Sequence, residues 1–356
     1  MLRAVELAAR GLTTTLPNPV VGCVLLDASG EPVGEGWHER PGGPHAEVVA
    51  LAVAGERARG STAVVSLEPC AHTGRTDPCV DALIAAGVTR VVVGVRDPWP
   101  PAAGGADRLR EGGVDVELGV EESAAEAVNR VWLTAVRRRR PYVTWKLAAT
   151  LDGRVAAADG GSRWITGPEA RADAHELRAR CDTVLVGVGT VLADDPQLTV
   201  RLTGSSVERQ PLRVVADTHG RTPEQARVRD ELADTWVATG AAVGTGPDGR
   251  LDLRSLMGDL YERERRHVLL EGGPQLAAAM VEAGLVDSVV AYVAPALLGA
   301  GPAALGSVGV TSLADALRLH LVDVRRVGPD VRIEAHLPSN PRGRLPRKPP
   351  GGPRRR

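Results

Sequence analysis

Three short segments carry side chains that could act together on one substrate: Pro44-His45-Ala46-Glu47, Glu68-Pro69-Cys70 and Pro78-Cys79. Two thiolates and one imidazole form a three-ligand set for zinc. The thiolate charges balance the ion, and a fourth position is left for water. Such water is a nucleophile at neutral pH. Glu47 stands two residues past His45, so it can take the water's proton without being a ligand itself. The chemistry predicted is hydrolytic loss of an exocyclic amine, with Glu47 returning protons to a ring nitrogen and then to departing ammonia. The alternative is a closed structural site with His72 as the fourth ligand, which leaves Glu47 without a role.

These residues need elements to hold them. The first third alternates helices and strands: Leu2–Arg10 helical, Val20–Leu26 and Pro32–Trp37 as strands, a helix from His45 to Gly55, and a buried strand at Thr62–Leu67. Asp77 is expected to cap the next helix, with Pro78 in its first turn. Strands follow at Val88–Gly94 and Val114–Leu118. The pattern predicts a parallel or mixed sheet covered by helices. A helix from about Glu121 runs into Arg137–Arg140 and then Pro141, which makes the best domain boundary. A second α/β block follows, with strands at Tyr142–Ala149, Thr183–Val188, Arg213–Ala216, Thr235–Ala238, His267–Leu270 and Ser288–Ala294. Its helices are expected at Pro168–Arg180 and Pro274–Ala283. No internal repeat is visible, so the halves read as unrelated folds. The expected division is residues 1–140, 141–337 and a tail, 338–356.

Composition narrows the class. The 356 residues suit about two domains. No apolar run reaches the roughly 18–20 residues of a membrane helix, and no secretory leader is evident, so a cytoplasmic enzyme is expected. From Pro338 on there are seven basic residues and no acidic ones, leaving the body at −8 from a net charge of −1. That tail is rich in proline and glycine and cannot bury enough surface to fold. An acidic body argues against nucleic acid as the partner. There is no Phe, so cores must be built from Val, Leu, Ala and a few Trp. Lysine occurs twice against 41 arginines, and Lys146 is the only lysine outside the tail.

The second half offers four clusters: Thr144–Arg154, Gly161–Gly167, Gly187–Arg201 and Leu269–Pro274. The last is a strand, then Gly272-Gly273, then a helix start, where backbone N–H groups favour phosphate or pyrophosphate. The G-x-G-x-x-G spacing of the doubly wound fold is absent. Taken singly, each glycine reads as a tight turn.

H-x-E, then P-C, then C is the order found in zinc nucleobase deaminases, although eight residues separate the cysteines here instead of two. The segments Gly36–Glu47, Ser66–Cys79 and Asp81–Val88, with Pro17–Gly22 upstream, resemble the deaminase half of the bifunctional riboflavin-biosynthesis deaminase–reductase family. The four C-terminal clusters, in order, resemble its reductase half. The resemblance implies a cytidine-deaminase-like three-layer α/β domain followed by a dihydrofolate-reductase-like domain. It implies zinc on His45, Cys70 and Cys79, catalysis by Glu47, and a pyrimidine pocket with Asn18, His38 and Arg75. NADPH is implied at Trp164, Thr190, Asp194, Thr218, Gly272 and Gly273. Ser162, Arg178, Leu198, Arg201 and Glu271 are implied on the reductase substrate. Arg178 and Arg201 suit a ribose phosphate on their own chemistry, and Lys146 could stabilise a developing sugar oxyanion. The resemblance further implies a small phosphorylated pyrimidine as substrate and a homo-oligomer. One departure is Asp97-Pro98-Trp99-Pro100, where the family often has Asn in place of Trp99. The other readings are a nucleobase or tRNA deaminase with a non-catalytic C-terminal domain, which the acidic body disfavours, and a reductase with a structural zinc module.

Overall fold

The computed structural model describes residues 1–72, 77–202 and 209–338. The chain forms two compact units: Met1–Pro141 together with Glu264–Arg266, and Tyr142–Arg263 with the chain from His267 on.

The first unit runs α1 Leu2–Ala9, β1 Gly22–Leu26, β2 Pro32–Trp37, α2 Ala46–Ala54, β3 Thr62–Leu67, α3 Cys79–Ala85, β4 Arg90–Val95, α4 Gly105–Glu111, β5 Asp115–Leu118, α5 Glu122–Val128 and α6 Arg130–Arg138. Its strands form one mixed sheet in the order β2-β1-β3-β4-β5. β1 is antiparallel to both its neighbours, whereas β3, β4 and β5 run parallel. The core beneath it is Val, Leu and Ala, including Val65, Leu83, Val91 and Leu109. With no Phe to fill space, close approach of backbones does the packing. The α2 face of Ala46, Ala50 and Ala54 lies on Gly34 and Gly36 of β2. A Cβ added at Gly36 would stand 2.4 Å from the Ala46 carbonyl oxygen, so glycine there lets α2 sit low on the sheet.

The helix expected from Glu121 is broken in two at Asn129. Its side-chain amide donates to the Val20 carbonyl at 2.7 Å, and its Oδ1 accepts from the Val20 N–H at 3.0 Å. A buried polar side chain has its own hydrogen bonds to complete, and here they fasten the segment that carries Asn18.

The second unit runs β6 Tyr142–Thr150, α7 Pro168–Ala179, β7 Thr183–Gly187, α8 Val188–Asp194, β8 Leu212–Ala216, β9 Thr235–Ala238, α9 Gly240–Val243, α10 Leu253–Glu262, β10 His267–Leu270, α11 Pro274–Glu282, β11 Ser288–Ala294, β12 His320–Val327 and β13 Asp330–His336. Its sheet has the order β12-β13-β11-β6-β10-β7-β8-β9. From β11 to β9 the strands are parallel, and β13 and β12 add an antiparallel edge. Parallel strands are buried on both faces, and Val184, Leu185, Val268, Leu269 and Leu270 are fully buried accordingly. No helix among the described residues is long and apolar enough to cross a membrane.

Candidate functional site

His45 is the N-cap of α2, and Glu47 lies in that helix's first turn. Cys70 follows β3. Cys79 is the first residue of α3, with Pro78 in the cap position. The expected cap was Asp77 with Pro78 inside the helix. The shift by one residue puts the free N–H of Cys79 3.4 Å from the Cys70 Sγ, which accepts it. Helix N-termini favour thiolate in this way. Among the described residues, the ligand atoms of His45, Cys70 and Cys79 all lie within 4.8 Å of one another. His45 Nδ1 is 3.0 Å from the Cys79 Sγ and 3.5 Å from the Cys70 Sγ. Hydrogen bonds from Cys79 and from His45 pull the Cys70 thiol well below its ordinary range. Two sulfurs and one ring nitrogen this close suit zinc. His72 is outside this cluster, its ring edge-on to Trp99 at 5.5 Å between centroids.

The cluster opens on a cavity of about 270 Å³ lined by Asn18, His38, His45, Glu47, Cys70 and Trp99, among others. Glu47 is only 3% exposed, and burial pushes its carboxyl pKa up. Asn18 and His38 meet in the cavity wall at 3.0 Å. Arg75 lies outside the described residues.

Two buried carboxylates in the wall stand in motifs read from the sequence but were given no role there. Glu68 accepts from the backbone N–H of Asp97 at 3.0 Å and of Ala106 at 2.8 Å, clamping the turn that presents Cys70. Asp97 accepts from the Trp99 N–H at 2.8 Å, and burial raises its carboxyl to about 7. Each lies beside a residue that was noticed, but a lone Asp or Glu carries no signal of burial.

The second unit gathers another set. The Glu271 carboxylate accepts from Arg178 Nε at 2.8 Å and lies 3.6 Å from the Lys146 ammonium. Burial pushes this carboxyl up, but Arg178 and Lys146 outweigh that and hold it at about 2. Arg178 also donates to the Thr199 carbonyl. Arg201 donates to Thr199 Oγ1 at 3.3 Å. Leu198 is buried, with φ +57°. Ser162 Oγ donates to Asp194 at 3.5 Å. Trp164 is 70% exposed, with the Arg171 guanidinium 4.5 Å from its ring centre. A Cβ added at Gly273 would meet only Thr190 Oγ1, at 3.9 Å, and one at Gly189 would meet nothing. At the start of α11, Gly273 therefore leaves backbone open to an approaching pyrophosphate, whereas a Cβ at Gly272 would stand 2.8 Å from Leu276 Cδ2, so glycine there serves packing. Thr218 Oγ1 accepts from the Leu251 N–H at 3.2 Å, which leaves its hydroxyl proton to donate. His175, one turn before Arg178 on α7, was missed, because a single His on a helix reads as surface. It stands within 3.3 Å of both the backbone and the guanidinium of Arg201.

A family model described as the RibD C-terminal domain matches residues 141–333, and one described as the cytidine and deoxycytidylate deaminase zinc-binding region matches residues 1–95. The chain belongs to the RibD family. It is 46% identical to the riboflavin biosynthesis protein RibD of Escherichia coli, over 93% of this chain and 96% of that one. The same identity relates it to RibD of Mycobacterium tuberculosis, over 93% and 94%. The solved structure of Acinetobacter baumannii RibD superposes with a TM-score of 0.87 at 41% identity, covering 95% of this chain and 97% of that one. A Thermotoga maritima protein described as a diaminohydroxyphosphoribosylaminopyrimidine deaminase/5-amino-6-(5-phosphoribosylamino)uracil reductase gives 0.84 at 35%, over 95% and 97%. The fold is thus a cytidine-deaminase-like domain followed by a dihydrofolate-reductase-like one.

Proposed function

We propose the following division of labour for this bifunctional deaminase and reductase of riboflavin biosynthesis. Residues 1–140 remove the exocyclic amine of a ribosylated diaminopyrimidinone 5′-phosphate. Residues 141–337 reduce the ribosyl chain of the product to ribityl, using NADPH. The observation that carries the first half is the buried Glu47 carboxyl lining the same cavity as His45 and Cys70 of the metal cluster.

His45, Cys70 and Cys79 would hold zinc. When bound, the ion supplies a Lewis acid and a water nucleophile at neutral pH. Glu47 accepts the proton of the attacking water, delivers it to the adjacent ring nitrogen, and helps protonate the leaving amine. One water enters and one ammonia leaves. Asn18, His38 and Arg75 orient the pyrimidine, and Trp99 offers a ring face to stack on it.

In the reductase, the N-terminal turn of α11 at Gly272-Gly273, together with Trp164, Thr190, Asp194 and Thr218, would hold NADPH, which when bound supplies the hydride. Arg178 and Arg201 bind the phosphate, helped by Ser162 and the Leu198 backbone. Glu271 fixes the Lys146 ammonium, which stabilises negative charge on the ribose oxygen as the ring opens. We include in this proposal a homo-oligomer in the cytoplasm with no nucleic-acid partner; sedimentation of the purified chain tests the oligomer.

The test is a coupled assay with the phosphorylated diaminopyrimidinone, following ammonia and NADPH separately. Ammonia release without NADPH, and NADPH loss only once deaminated product has formed, is the expected pattern. NADPH loss with no ammonia would reject the deaminase half.

A further inference from the structure

The reductase substrate residues include two arginines, and the structure puts a third donor between them. His175 lies three residues before Arg178 on α7, so the two side chains share a face. Its Nδ1 stands 3.2 Å from the Arg201 backbone nitrogen and 3.5 Å from Arg178 Nη1. Its Nε2 stands 3.3 Å from Arg201 Nη2.

The proton can be located from these partners. An amide N–H and a guanidinium only donate. Nδ1 therefore accepts from the Arg201 backbone, which leaves the one proton of a neutral imidazole on Nε2. Burial, with Arg178 and Arg201 alongside, pushes the pKa of this imidazole down to about 4, so the neutral form is the resident one. Nε2–H and the Arg201 Nη2–H are then two donors 3.3 Å apart. Neither can accept from the other. An oxygen that accepts from both resolves the pair, and an anionic oxygen does so best.

We infer that His175 is a phosphate-binding residue of the reductase, its Nε2–H donating alongside Arg201 to an oxygen of the substrate's phosphomonoester while its Nδ1 holds the Arg201 backbone in register. This rests on the reductase reading of the second unit. It adds a neutral donor beside the two guanidinium forks.

The two ring nitrogens can be separated by substitution. His175→Asn keeps an acceptor near Nδ1 and deletes the distal donor. His175→Gln places an amide N–H near the Nε2 position. The full chain is used, with inorganic phosphate as the probe in calorimetry and the deaminated phosphorylated substrate in NADPH kinetics. H175N should weaken phosphate binding and raise the reductase KM about 10- to 100-fold, with kcat changed less than about threefold. H175Q should recover most of both. For the dephosphorylated substrate, H175N and wild type should have the same KM. Unchanged phosphate affinity in H175N, or a KM rise that is equal for both substrates, would overturn the inference. Phosphate binding is read without turnover, so a chain that reduced nothing would reject the reductase reading and leave this test standing.

Discussion

Asn18 and His38 meet at 3.0 Å between the Asn18 amide nitrogen and the His38 Nε2. The other ring nitrogen, Nδ1, lies 3.1 Å from the Pro44 carbonyl. A carbonyl only accepts, so Nδ1 carries the proton and Nε2 accepts from Asn18. Backbone one residue before His45 thus fixes the tautomer, and the tautomer fixes the orientation of the Asn18 amide. Replacing His38 with Leu keeps bulk and removes both bonds. Deaminase KM should rise about tenfold with zinc content unchanged; ammonia kinetics and metal analysis check this. Loss of zinc in that variant would mean that His38 serves the ligand loop and not Asn18.

Glu47→Gln retains shape and hydrogen bonding but cannot carry a proton. Ammonia release should fall about 10²–10⁴-fold, while reduction of deaminated substrate stays at the wild-type rate. Unchanged ammonia release would remove Glu47 from the proton path.

The Lys146–Glu271 pair predicts a different split. Lys146→Met should lower reductase kcat by about 10²-fold, the usual cost of losing one group aimed at developing charge, and leave ammonia release alone. Lys146→Arg should not restore it, because a planar fork does not fit where a compact ammonium sits. Recovery by Arg in steady-state NADPH kinetics would reduce the role of Lys146 to bulk positive charge.

The second unit should weaken in mild acid because of His267. Its ring is buried among β10, β6 and β7, with Nε2 2.9 Å from Thr144 Oγ1 and Nδ1 donating to the Arg180 carbonyl at 3.1 Å. Burial pushes its pKa down from the ordinary 6.5 to about 4. Between those values the unfolded chain binds the extra proton. Stability from this group is therefore complete above about pH 6.5, falls as pH drops through the window, and levels off near pH 4. At about 1.4 kcal/mol per pH unit for one proton, the loss is on the order of 3 kcal/mol. Calorimetric melting from pH 7 to 4.5 should show a steeper fall for wild type than for His267→Gln. Parallel curves would contradict the assignment.

Much of this was legible in the residues. Strands such as Thr62–Leu67, Thr235–Ala238 and Ser288–Ala294 end where alternation and turn residues say they should. His45, Cys70 and Cys79 announce themselves because their types and order leave few other uses. What escaped depends on distant partners. Asn129 breaks a helix only because Val20 is there to bind it. α10 is amphipathic but was hidden in a stretch of charge, and the edge strands β12 and β13 carry Arg, Asp and Glu where an alternating apolar pattern was sought. His175 has no local pattern at all; only the fold brings the Arg201 backbone to it.

A metal held by His45, Cys70 and Cys79 should serve the first reaction and not the second. The direct measurement is ammonia release from the phosphorylated diaminopyrimidinone by the intact chain before chelation, after it, and after zinc is returned. Ammonia release should be lost on stripping and recover with one zinc per chain, while NADPH-dependent reduction of deaminated substrate continues throughout. Ammonia release that persists in metal-free protein would contradict it.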